Sequence, residues 1–237
     1  NQTGGDFYKS LESINKRLRK NALPIQLPVG FEKDINGVVD LVKMKAFTYK
    51  EYNDKALVEG DIPADMMDKA KEYRNKLVEK VVEYDEALME KYLGGTELTE
   101  AELMGAIRKA TISGEFSPVM GGDGRGVIVE TLLDAIVAYL PSPLDKPPVT
   151  GTDPKSGEEL TRKADLNEPF SALAFKIATD PFVGKLCFFR VYSGKLAAGS
   201  YVYNSTKGER ERIGRIVRMH AAQREDVAEV SAGEIAA

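Results

Sequence analysis

A change of hydrophobic period constrains this chain more than any other feature. Up to Leu140 the longest apolar patterns recur at three- and four-residue spacing, from Pro169 onward they fall into short β-rich runs, and Pro141-Ser142-Pro143 and Pro147-Pro148 stand between. The two periods cannot share an element, because successive side chains turn by about 100° in a helix and about 180° in a strand. Proline removes an amide donor and biases its predecessor away from helix. The expected fold is an α/β part over residues 1–145, a linker over 146–166 and an antiparallel β-barrel over 167–237.

In the first part Asp6 is placed to cap a helix carrying Phe7, Leu11, Ile14 and Leu18. The segment from Ala22 to Gly30 reads as extended, and Gly37–Val42 and Lys45–Tyr49 read as strands. The longest periodic signal runs from Asp65 to Leu93, where Met66, Ala70, Leu77, Val81, Leu88 and Tyr92 belong to one apolar stripe. Glu72, Glu79, Glu83, Glu86 and Glu90 fall on the other side, predicting one helix with an acidic ridge. Gly94-Gly95 stops it, and Thr99 with Glu102 has the capping-box pattern for a second helix that turns Leu103, Ala106, Ile107 and Ala110 inward. A short strand ending near Met120, a turn over Gly121–Gly126 and a helix through Leu132, Leu133, Ile136, Val137 and Leu140 follow. Beyond the prolines, Leu173–Ile177, Leu186–Tyr192, Ser200–Tyr203 and Arg212–Val217 read as strands of a barrel expected to be truncated, without its last strands.

Composition narrows the chemistry. Of 237 residues 43 % are hydrophobic and 30 % charged, with a net charge of −4, so neither a DNA-binding nor a membrane role is called for. No apolar run reaches the roughly 18 residues of a membrane span. The one cysteine, Cys187, excludes an intramolecular disulfide and fits a reducing cytoplasm; its place in an apolar run predicts a small buried side chain. His220 is the only histidine, which leaves no His-based metal cage or Ser-His-Asp triad, and it reads as a packing or surface residue. No metal site and no catalytic residue are expected. Charge is segregated: Lys185–Arg224 holds nine basic residues against Glu209 and Glu211. A basic barrel able to meet phosphate and an acidic helix able to meet a basic protein are two surfaces for different partners.

Several strings resemble elongation factor G, a translational GTPase: Thr3-Gly4-Gly5-Asp6-Phe7, Pro24–Gly30, Gly37–Lys43, Asp61–Asp65, Leu88–Gly95, Tyr139–Pro143, Glu168–Gly184, Phe189–Gly194 and Ala232–Ala236. The resemblance runs nearly end to end. It implies the end of a GTPase domain with an inserted α+β subdomain at about residues 28–115, then the following β-barrel domain. It implies GTP with magnesium for the whole parent but no cofactor for this stretch, in which no Gly-x4-Gly-Lys-Ser/Thr loop occurs. Two guanine-binding positions fall in the chain by alignment and both depart from the family pattern. Asn1 stands where a carboxylate would accept two hydrogen bonds from the base, and Asp123 and Gly124 stand in the place of a Ser-Ala turn. The resemblance further implies a ribosomal partner, cytoplasmic location and a part in GTP-dependent movement of tRNA and mRNA. Glu79, Glu83, Glu86 and Glu90 would dock the C-terminal domain of the ribosomal stalk protein. Arg190, Lys207, Arg210, Arg212, Arg215 and Arg218 are the candidates for contact with small-subunit ribosomal RNA. A divergent paralogue with altered GTP dependence and a free-standing RNA-binding barrel protein are the alternatives the residues leave open.

Overall fold

The computed structural model describes residues 3–18, 21–51, 54–121, 126–154, 156–180, 184–221 and 223–237. They belong to two units, Asn1–Pro141 and Ser142–Ala237.

In the first unit the Asp6 carboxylate accepts the amides of Tyr8 at 2.8 Å and Lys9 at 3.1 Å and opens α1 (Phe7–Leu18). The strand β1 (Asn21–Pro24) pairs in parallel with β6 (Phe116–Val119). Parallel neighbours need a long crossover, and this one contains a further α+β layer. Within it β2 (Gln26–Val29), β3 (Gly37–Asp40), β4 (Lys45–Thr48) and β5 (Val58–Gly60) form an antiparallel sheet in that order, followed by three helices.

The single helix expected from Asp65 to Leu93 is two: α2 (Met67–Val82) and α3 (Glu86–Leu93). Asp85 divides them. Its backbone is extended at φ −147° and its carboxylate accepts the Leu88 amide at 3.3 Å, capping α3. Lys109 binds the other carboxylate oxygen at 3.0 Å. Ala70, Leu77 and Val81 of α2 are buried in the core against which Leu88 and Tyr92 of α3 also pack. The apolar spacing therefore continues across the break and conceals it.

The next helix, α4 (Glu100–Ser113), starts with the expected reciprocal cap between Thr99 and Glu102. The Glu102 carboxylate also holds Lys91 of α3 at 2.7 Å and accepts the Thr99 amide at 2.7 Å, which together lower its pKa to about 2. Leu27 and Val39 of the sheet, Leu41 in the turn after β3, Leu77 of α2, Leu103 and Ile107 of α4 and Phe116 of β6 are each no more than 2 % exposed. Side chains of this size contribute about 1.5–3 kcal/mol each when buried. The last helix, α5 (Val129–Tyr139), is held at its end by Arg108 of α4, whose guanidinium donates to the carbonyls of Ala138 and Leu140 at 3.1 Å each. Leu132, Leu133, Ile136, Val137 and Leu140, read from sequence as its apolar positions, are exposed.

In the second unit the segment read as a linker forms a hairpin of β7 (Val149–Thr152) and β8 (Glu159–Arg162). β-branched Val149, Thr150, Thr152 and Thr161 suit strands, and Gly157 closes the turn by donating to Asp153 O at 2.8 Å. The long strands β9 (Ser171–Asp180) and β10 (Gly184–Ser193) are antiparallel, with the short β17 (Ile235–Ala236) on the other edge of β10. Three more antiparallel pairs join β11 (Lys195–Ala197) to β16 (Glu229–Ser231), β12 (Tyr201–Asn204) to β13 (Glu209–Arg212), and β14 (Ile216–His220) to β15 (Gln223–Val227). The run Arg212–Val217, expected as one strand, is interrupted. Ile213 exchanges backbone hydrogen bonds with the Gly199-Ser200 corner, so Gly214 and Arg215 turn the chain from one pair to the next.

Val191, Leu196, Ile216, Val230 and Ala236 form the small core of this unit. At its edge Ser193 is wholly buried and shares hydrogen bonds of 2.7 Å with Ser171 Oγ and Pro169 O. Gly194 must be glycine, since φ is +68° and a Cβ would lie 2.4 Å from Glu168 O.

Leu103→Ala is expected to destabilise the first unit by about 2–5 kcal/mol in urea denaturation, whereas Val137→Ala, at a side chain 82 % exposed, is expected to stay within about 0.5 kcal/mol. Because folding depresses the Glu102 pKa from 4.5 to about 2, its contribution is complete above the unfolded value and is lost as pH falls from about 4.5 toward 2. Denaturation midpoints of Glu102→Gln are therefore expected to lie below those of the parent at neutral pH and to converge with them toward pH 2.

Candidate functional site

Two exposed surfaces carry the residues singled out from sequence, one in each unit. Glu79 lies on α2, Glu83 just past its last residue, and Glu86 and Glu90 on α3; all four are exposed. The break at Asp85 divides what sequence reading made one continuous ridge. Lysines also interrupt it: Lys76 pairs with Glu72 and Lys80 with Glu83, each at 2.5 Å. Glu79, Glu86 and Glu90 are in no ion pair among the described residues. The remaining free negative charge is thus centred on α3 and the adjoining end of α2.

In the second unit the β12–β13 hairpin sets Tyr201 opposite Arg212 and Tyr203 opposite Arg210. Directly opposed residues share a face, and neighbours along a strand alternate. One face therefore holds two tyrosines and two arginines, and the other Val202, Asn204, Glu209 and Glu211. The hairpin loop is set by Asn204, whose side-chain oxygen accepts the amides of Thr206 and Lys207 at 3.1 Å each, and by Gly208 at φ +73°. The Arg210 guanidinium carbon stands 4.5 Å from the Tyr201 ring centre, a cation–π distance. Glu211 binds Lys207 at 2.9 Å and Asn204 at 3.1 Å, which lowers its own pKa and raises that of Lys207.

The six basic candidates are thus sorted. Lys207 is paired with Glu211, and Arg218 with Glu234 at 2.5 Å. Arg190, Arg210, Arg212 and Arg215 are exposed and in no ion pair among the described residues.

The guanine-binding positions Asn1, Asp123 and Gly124 lie outside the described residues. The described residues next to them are engaged within the chain. The amides at the start of α1 are taken by its own Asp6, the Gly4 amide donates to Glu32 at 2.6 Å, and a Cβ on Gly121 would lie 2.3 Å from the Phe7 ring. No group of three or more His, Cys, Asp or Glu stands close enough to hold a metal ion among the described residues. Among them, too, no helix is long and apolar enough to cross a membrane.

Cys187, expected to be buried, is exposed. Its strand pairs with β9, on which Leu173, Phe175 and Ile177 are also exposed, so an apolar run here does not mark an interior one. His220 is on the surface, with Nε2 3.4 Å from Glu225.

Residues 184–237 match the family model of elongation factor Tu domain 2. Over 99 % of its length the chain is similar to a protein of Thermus thermophilus known as ttk003000868, at 28 % sequence identity and a TM-score of 0.71. The chain spans 32 % of that protein's length. Residues 184–237 are therefore a β-rich part of the elongation factor Tu domain 2 kind, and they follow a mixed α/β part.

Tyr201 and Tyr203 were not singled out from sequence. The alternation Tyr-Val-Tyr was visible, but only pairing with Arg210-Glu211-Arg212 puts aromatic rings and guanidinium groups on one side. Cys187 is expected to react with a thiol reagent under native conditions at nearly the rate seen in denaturant. A buried cysteine would be protected by orders of magnitude.

Proposed function

We propose that this chain is the ribosome-docking part of a translational GTPase of the elongation factor G kind, which acts in the cytoplasm in the GTP-dependent movement of tRNA and mRNA. The observation that carries this reading is the match of residues 184–237 to elongation factor Tu domain 2. Its position behind an α/β unit, with similarity to a single Thermus protein across both, supports it. In this reading GTP and magnesium are handled by other parts of the polypeptide, and no catalytic residue is assigned to the described ones.

The exposed Arg190, Arg210, Arg212 and Arg215 support contact of the barrel with small-subunit ribosomal RNA. There they would meet phosphates and fix position without reading sequence. Glu79, Glu86 and Glu90, in no ion pair among the described residues, support docking of the basic C-terminal domain of the stalk protein on α3 and the end of α2.

Cosedimentation with purified small ribosomal subunits is expected to be saturable and to weaken as salt rises. Arg212→Glu with Arg215→Glu is expected to lower the affinity about tenfold or more. Glu86→Lys with Glu90→Lys is expected to slow association with the stalk domain several-fold and to change dissociation less. Absence of binding to small subunits at low salt by folded protein would overturn the ribosomal RNA reading. Unchanged association kinetics in the glutamate variant would return α3 to a solvated helix face.

A further inference from the structure

We infer that the Tyr201, Tyr203, Arg210 and Arg212 face of the β12–β13 hairpin is a stacking platform for unpaired bases of RNA. The inference rests on the reading of the barrel as an RNA-contacting domain and adds which part of an RNA it takes. Tyr201 is 55 % and Tyr203 50 % exposed, and they stand two residues apart on one strand, so both rings lie on the same side of the hairpin. Neither ring packs on the core cluster, so each presents a broad π face to solvent.

The arrangement of charge points the same way. Both acidic residues of β13 lie on the opposite face, where Glu211 is occupied by Lys207 and Asn204. The aromatic face is left with guanidinium groups alone. Arg210 lies over the Tyr201 ring at 4.5 Å and is the register partner of Tyr203, so a guanidinium group accompanies both rings. Arg212 is placed beside the same rings with its donors unpaired by any carboxylate among the described residues. A flat π surface flanked by fixed positive charge matches a nucleotide whose base is splayed out and whose phosphate lies alongside. A regular duplex offers the charge but keeps its base faces covered, so scattered basic residues would suffice for a duplex and would need no tyrosines. A loop, bulge or single strand offers both.

The test uses the full chain and two RNAs of equal charge: a hairpin whose loop carries a 2-aminopurine, and a blunt duplex without unpaired bases. The loop RNA is expected to bind more tightly, and its 2-aminopurine fluorescence to be quenched on binding. Tyr203→Leu and Tyr201→Leu are each expected to weaken loop binding on the order of tenfold and abolish most of the quenching. Their salt dependence and duplex binding are expected to be unchanged, and Tyr203→Phe to restore both affinity and quenching. Arg212→Gln is instead expected to reduce the slope of log affinity against log salt by about 0.7. Thermal unfolding of each variant checks that the exposed substitutions leave the fold intact. Equal binding of loop and duplex, or full affinity and quenching in both leucine variants, overturns the stacking platform while leaving the phosphate-contact reading standing. Failure of the folded chain to bind either RNA at low salt overturns both.

Discussion

The first unit depends on the burial of one helix. Leu103, Ala106, Ile107 and Ala110 of α4 are at most 1 % exposed, and the helix packs on α2, α5 and β6 at once. Such close packing needs small residues at alternate contacts, and the two alanines let neighbouring elements approach while Leu103 and Ile107 fill the space between. The polar ends of α4 are as firmly placed as its apolar side. Glu102 ties its first turn to α3 through Lys91, Lys109 ties it to the cap of α3, and Arg108 closes the last carbonyls of α5. The position of the acidic α3 surface follows from these bonds together with the packing of the half-buried Leu88, Met89 and Tyr92 on the core.

The second unit has a much smaller apolar core and relies on backbone pairing and on corners that only certain residues can make. Buried Ser193 and left-handed Gly194 fasten β10 to the segment at Pro169 and to Asp165, whose carbonyl accepts the Gly194 amide at 2.8 Å. The β12–β13 hairpin stands out from this core with only Val202 of β12 packed against it. That leaves its other face to tyrosine and arginine. The same strand that anchors the hairpin through Val202 presents Tyr201 and Tyr203 outward.

Much of the fold was legible in sequence where short-range rules decide. Asp6 as helix cap, the Thr99–Glu102 capping box, the inward side of α4 and the strands Gly37–Asp40 and Lys45–Thr48 all follow from spacing and cap chemistry within a few residues. Sequence reading went wrong where two local signals competed or where burial was inferred from apolarity. Asp85 is a good cap in a stretch whose apolar period runs on unbroken, and the period concealed the cap. Cys187, Leu173 and Ile177 are apolar yet exposed, because the long β9–β10 ribbon presents them to solvent. Of the candidate surfaces, the residue types were visible in advance and their division was not. Lys207 and Arg218 are drawn into ion pairs by Glu211 and Glu234 across a strand pair or a turn.

By itself the sequence determined many of the elements, the change from helical to strand period at the prolines, the caps at Asp6 and Thr99, and the separation of acidic from basic charge. Each of these rests on interactions between residues close in the chain. Tertiary structure alone decided that β1 pairs with β6 across an entire inserted layer, that the acidic row is split, and that Tyr201 and Tyr203 share a face with Arg210 and Arg212. Those outcomes depend on strand register and on which surfaces are left to water. Both are set by contacts between distant residues, whose gain in burial and hydrogen bonding must outweigh the entropy of bringing them together.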